Sequence, residues 1–81
     1  GRAAMRVGDG FYGLGDYTKA AELYRAALTK SGVDTNQVNL RIGMALARGG
    51  DKAGATAALG AVTGPLAELA KFWLLYVNRA A

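Results

Sequence analysis

Gly8, Gly10 and Gly13 stand in the pattern Gly-x-Gly-x-x-Gly within the stretch GDGFYGLGDY. Loops with this spacing hold a dinucleotide pyrophosphate on backbone N–H groups. Asp34, about 20 residues downstream, falls where such sites place a ribose-binding acid. The chemistry needs a strand running into the first glycine and a helix opening at the third. Here GRAAMRV precedes Gly8 without a strand pattern, and Asp16 follows Gly13 as a helix-capping residue. Nucleotide binding is therefore disfavoured, and Asp34 reads better as an N-cap. Gly8 reads as space for a helix crossing and Gly15 as a turn between helices, whereas Gly10 and Gly13 have no evident structural role.

Other chemistry is thinly supplied. The chain has neither histidine nor cysteine, which removes the commonest general base, the commonest metal ligand, thiolate metal sites and disulfides. Ser31 lies in a helix-ending turn with no base near it in sequence. Asp9 and Asp16 are separated by an expected helix break, and Asp16, Asp34 and Asp51 are all placed to cap helices. The chain is expected not to be an enzyme, with no catalytic residue, no metal site and no cofactor.

Ten Lys and Arg against six Asp and Glu give a formal charge of +4, which mildly favours a partner with acidic groups. The positive residues are scattered and form no run, so nucleic acid is a poor candidate partner. The longest apolar run, FWLLYV, is far short of the roughly 20 residues that span a bilayer, and no signal or transit peptide is visible. A soluble protein of the cytoplasm or of a bacterial periplasm is expected. The alanine- and glycine-rich style suggests a bacterial source. The opening GRAAMRV, without an initiator Met, suggests a fragment or a trimmed product.

The elements that must position these residues are all helical. No segment alternates apolar and polar residues in the manner of a strand. After Asp16, the residues Ala20, Leu23, Tyr24, Ala27 and Leu28 share one helix face. Gly32 suits the left-handed position just past that helix. Asp34 opens the next helix with Gln37 in a capping-box pattern, and Val38, Ile42, Ala45 and Leu46 form its apolar face. GGD at 49–51 ends that helix and starts another, lined by Ala55, Ala58, Leu59 and Val62. Pro65 is placed in the first turn of a last helix running from about Leu66 to Asn78. Before Asp16, the apolar residues Met5, Val7, Phe11, Tyr12 and Leu14 suggest a further helix. Its three glycines oppose it by about 0.5–1 kcal/mol each.

A repeat runs through these helices. GDYTKAAELYRAAL, residues 15–28, aligns with GDKAGATAALGAVT, residues 50–63, at a lag of 35 residues. The same lag pairs Gly8 with Gly43, Phe11 with Leu46 and Arg6 with Arg41. A period of this size with two helices per period is the mark of a helical solenoid.

The phased elements Val7-Gly8-x2-Phe11 with Ala20-x3-Tyr24, and Ile42-Gly43-x2-Leu46 with Ala55-x3-Leu59, resemble the tetratricopeptide repeat. A further first helix follows as Leu69-Ala70-x2-Trp73. The chain departs from the family at Ala4 and Asn39, where the family favours Trp, and at Gly32, where it favours Pro. The resemblance covers nearly the whole chain and implies an all-α, right-handed helical superhelix of about five helices. It divides a single domain, 1–81, into repeat 1 at about 1–34, repeat 2 at about 35–65 and a terminal helix at about 66–80, within a longer array. It also implies a protein–protein interaction or scaffolding role. By position in the family, the partner groove would show Arg6, Asp9 and Tyr12 from the first repeat and Arg41, Met44 and Arg48 from the second. The terminal helix would add Lys71 and Leu75. Arg6 and Arg41 occupy equivalent positions and could together grip a carboxylate on a protein or peptide.

The terminal helix suggests an alternative. Leu66, Leu69, Ala70, Trp73 and Val77 lie on one side of it, and Phe72, Leu75, Tyr76 and Arg79 on the other. A solenoid end should be polar outside. An apolar outer face of Phe72, Leu75 and Tyr76 would instead favour association, including a homo-oligomer.

Overall fold

A computed structural model of the chain describes residues 2–30 and 32–79, and within them it is all-helical. Five α-helices follow one another: α1 Arg2–Gly13, α2 Tyr17–Leu28, α3 Thr35–Arg48, α4 Lys52–Gly60 and α5 Ala67–Val77. A 3-10 turn, Gly64–Leu66, precedes α5. Ser31 lies outside the described residues, as do residues 80–81, the first of which ends the expected terminal-helix range.

The dipeptide Gly-Asp makes the turn inside each helix pair by one mechanism used twice. Gly15 adopts φ +83° and Gly50 φ +90°, left-handed values that a side chain would oppose. The Gly15 N–H donates to Tyr12 O, and the Asp16 N–H to Phe11 O, closing α1. At the second turn the Gly50 N–H donates to Ala47 O and the Asp51 N–H to Leu46 O. Each aspartate then caps the next helix, Asp16 accepting from Lys19 N at 3.2 Å and Asp51 from Gly54 N at 2.9 Å. One Asp therefore ends one helix with its backbone and begins another with its side chain.

Between the pairs, Asp34 caps α3 by accepting from the N–H groups of Asn36 and Gln37. Gln37 enters this cap as a backbone donor. Gly32 is left-handed, at φ +85°, but stands beyond the C′ position expected for it. Helix α2 has already ended at Leu28, where the Thr29 hydroxyl and N–H both bond to Ala26 O. Pro65 lies in the 3-10 turn, so α5 starts one residue later than expected and stops at Val77. Asn36 Oδ1 accepts from both the N–H and the hydroxyl of Thr63, tying this last connection to the start of α3.

Packing follows bulk against absence of bulk. Gly8 faces Tyr24, and a Cβ added there would lie 2.6 and 2.8 Å from two ring carbons. Gly43 faces Leu59 in the same way, and a Cβ there would overlap Leu59 Cγ and Cδ2. Ala20 and Ala55 are fully buried, as is expected where helices approach closely. The core is completed by Met5, Ala27, Val38, Ile42, Ala45, Leu46, Val62 and Ala70, among others.

Helix α2 packs against both α1 and α3, so it buries two sides; Ala21 joins the core although it lies off the expected stripe. Leu40 on α3 is buried for the same reason, since α3 meets α2, α4 and α5. Leu28, read as part of the apolar face of α2, is instead exposed, as are Val7 and Leu14, two of the apolar residues that suggested the first helix. On α5 the expected inner side is corrected at one position: Leu69 is 45% exposed, and Leu74 packs on the core in its place. A helix seated on α4 with one edge toward α3 buries a stripe rotated from the one that spacing alone suggests.

Gly10, two residues past Gly8, meets nothing within 4 Å. Gly10→Ala removes only the entropic cost of a helical glycine, and thermal unfolding should show it more stable by about 0.5–1 kcal/mol. A loss of stability would mean that the Gly10 position is crowded.

Candidate partner-binding face

Side chains of α1 and α3 line one depression and side chains of α3 and α5 line another, and most of the residues expected to form a groove are divided between them or lie between them. At one end, Arg2, Arg6, Asp9, Asp34, Gln37 and Arg41 line an open depression of about 410 Å³. Arg6 and Arg41 both line it. Arg41 is not a free cation, however: its guanidinium lies 3.5 Å from Asp9 Oδ2. The expected joint grip of Arg6 and Arg41 on a carboxylate is corrected to this extent, because a ligand anion must compete with Asp9.

Asp9 has a second partner. The Tyr24 hydroxyl donates to Asp9 Oδ1 at 2.5 Å, so one carboxylate joins α1, α2 and α3. Burial, and then this hydrogen bond, raise the Tyr24 pKa well above the ordinary tyrosine range; the Asp9 charge adds to the rise and Arg41 opposes it. The fold therefore holds the neutral phenol. Its stabilisation is fully present below the unfolded-state pKa of about 10 and is lost as pH rises beyond it. In urea titrations, the stability advantage of the wild type over Tyr24→Phe should shrink above about pH 10. An advantage that stays constant through that range would mean that Tyr24 ionises normally.

In the middle of the face, Tyr12 meets Tyr17 edge-on, with ring centroids 5.3 Å apart. The Arg48 guanidinium lies over both rings, 5.5 Å from the Tyr12 centroid and 5.0 Å from that of Tyr17. The neighbouring Tyr12 side chain, and then Tyr17, push the Arg48 pKa further above its already high ordinary value. Met44 and Tyr12, both half-buried, border a small hollow together with Asp9, Tyr24 and Arg41.

At the other end, Arg48, Phe72, Trp73 and Tyr76 line a cleft of about 380 Å³ between α3 and α5. Trp73 and Tyr76 meet edge-on at 5.5 Å, and the Arg79 guanidinium covers the Tyr76 ring at 3.9 Å. Phe72 is 65% and Leu75 69% exposed, and Tyr76 is partly so, which leaves the outer side of α5 apolar. Lys71 stands apart, pairing with Glu68 at 4.0 Å on an exposed flank.

Three residues that organise this face were not among the expected groove residues. Tyr24 and Trp73 fall on apolar helix faces, and nothing in their spacing reveals a polar or solvent-facing edge. Tyr17 follows the cap Asp16, and only the turn geometry carries it beneath Arg48. Among the described residues, no group of three His, Cys, Asp or Glu side chains could hold a metal ion, and no helix is long and apolar enough to cross a membrane. No protein-family model matches the chain, and neither does any curated protein or solved structure.

Proposed function

We propose that the chain is a tetratricopeptide-like module. In this reading two helix pairs and a terminal helix form a right-handed superhelix that presents α1, α3 and α5 to a protein or peptide partner, without catalysis of its own. The observation that carries this reading is one packing unit used twice at a lag of 35 residues. Gly8 faces Tyr24 as Gly43 faces Leu59, and the turn at Gly15–Asp16 is rebuilt at Gly50–Asp51. Units that stack in this way offer an extended row of first helices as a binding surface. The ordered tyrosines and Arg48 on that row suit a peptide, since aromatic and arginine side chains dominate interface energetics.

Selection from a displayed random peptide library tests the proposal. Peptides should emerge whose binding is weakened by Tyr12→Ala or by Met44→Glu. An empty selection, or binders indifferent to both changes, would remove the groove.

A second reading, self-association through α5, is favoured by the exposure of Phe72, Leu75 and Tyr76. Sedimentation equilibrium distinguishes it: a concentration-dependent mass that Phe72→Glu/Tyr76→Glu abolishes would support it, and a monomeric wild type would end it.

A further inference from the structure

We infer that the cleft between α3 and α5 receives a peptide segment in which a large apolar side chain stands next to a carboxylate, with the carboxylate on Arg48 and the apolar group against Phe72 and Trp73. This rests on the interaction-module reading and names the chemistry of its partner.

Arg48 is the last residue of α3, where the helix dipole favours a cation. The dipole does not account for its position over two tyrosine rings, which places the guanidinium beside the cleft. Ion pairs among the described residues join Lys19 to Glu22, Arg41 to Asp9 and Lys71 to Glu68, and none involves Arg48. The cleft is lined by that cation and three aromatic side chains, with no acid among them. Arg79 adds a second positive charge over Tyr76. An uncharged apolar occupant would leave this charge unanswered, whereas a carboxylate would meet it with charge-assisted hydrogen bonds. A second copy of the chain is a poorer occupant, because its α5 and the residues just after it would bring Lys71 and Arg79 toward Arg48 with Glu68 as the helix's one acid.

Trp73 is the chain's single tryptophan, so its emission reports on the cleft alone. Titration with acetyl-Asp-Leu-Phe-Asp-amide should change that emission saturably. The neutral analogue acetyl-Asn-Leu-Phe-Asn-amide should bind about tenfold more weakly. Arg48→Gln should abolish the difference between the two peptides. Arg25→Gln, which removes the same charge from α2, should preserve it. Equal affinities for the two peptides, or no saturable response, would overturn the inference. So would an emission change that follows protein concentration alone and coincides with dimerisation in sedimentation. Library-selected peptides that depend on Tyr12 but ignore Arg48→Gln would sink this inference and leave the module standing; an empty selection would remove both.

Discussion

Gly43→Val is expected to cost about 3 kcal/mol and to lower the melting temperature by on the order of 10–20 °C for a domain of this size. The total stability of such a chain is only about 4–12 kcal/mol, so this is a large share of it. The physical cause is local. Gly43 is buried against Leu59, which is itself 1% exposed and has no room to turn away. Valine recovers a few tenths of a kcal/mol of helix propensity over glycine. That gain is small beside the overlap of a branched side chain with Leu59. Leu59→Ala in the same chain should relieve the overlap, so the double variant should lose less than the sum of the single losses by roughly 1–3 kcal/mol. Strict additivity in this cycle would show that Gly43 and Leu59 do not meet. The contrast with Gly10, where a side chain is expected to stabilise, makes the sign of each substitution a map of where helices cross.

Tyr24→Ala is expected to have the other large effect, about 3–5 kcal/mol, which is the range for emptying a large aromatic side chain from a core. Tyr24 is 2% exposed and fills the space that Gly8 leaves open. Its hydroxyl contributes less. Tyr24→Phe keeps the ring, removes the bond to Asp9 and leaves that carboxylate partly solvated with Arg41 beside it. The expected loss there is about 0.5–1.5 kcal/mol. Chemical denaturation of the two variants measures both. If Tyr24→Phe cost as much as Tyr24→Ala, the Asp9 hydrogen bond rather than the filled space would hold α1 to α2.

The sequence by itself determined the all-helical class, the order of the helices and the turns between them. These depend on near neighbours in the chain. Asp16, Asp34 and Asp51 act within one helical turn of themselves, and Gly15 and Gly50 act through their own backbone angles. The lag of 35 residues also pointed to Gly8 and Gly43 as crossing positions, because a repeated glycine opposite a repeated large residue has a packing meaning at any distance. Only the tertiary structure decided which sides of each helix are covered. A helix between two neighbours buries two stripes, which is why Ala21 and Leu40 are core and why Leu74 replaces Leu69 on α5. The candidate site was legible in part, since Tyr12, Arg41 and Met44 border one hollow and Arg48 lines the cleft beside α5. The pairing of Arg41 with Asp9, the hydroxyl of Tyr24 beneath them and the position of Arg48 over Tyr17 and beside Trp73 were not legible. Those contacts join residues from different helices, and they depend on how side chains point once the helices have docked, which a spacing along the chain does not contain.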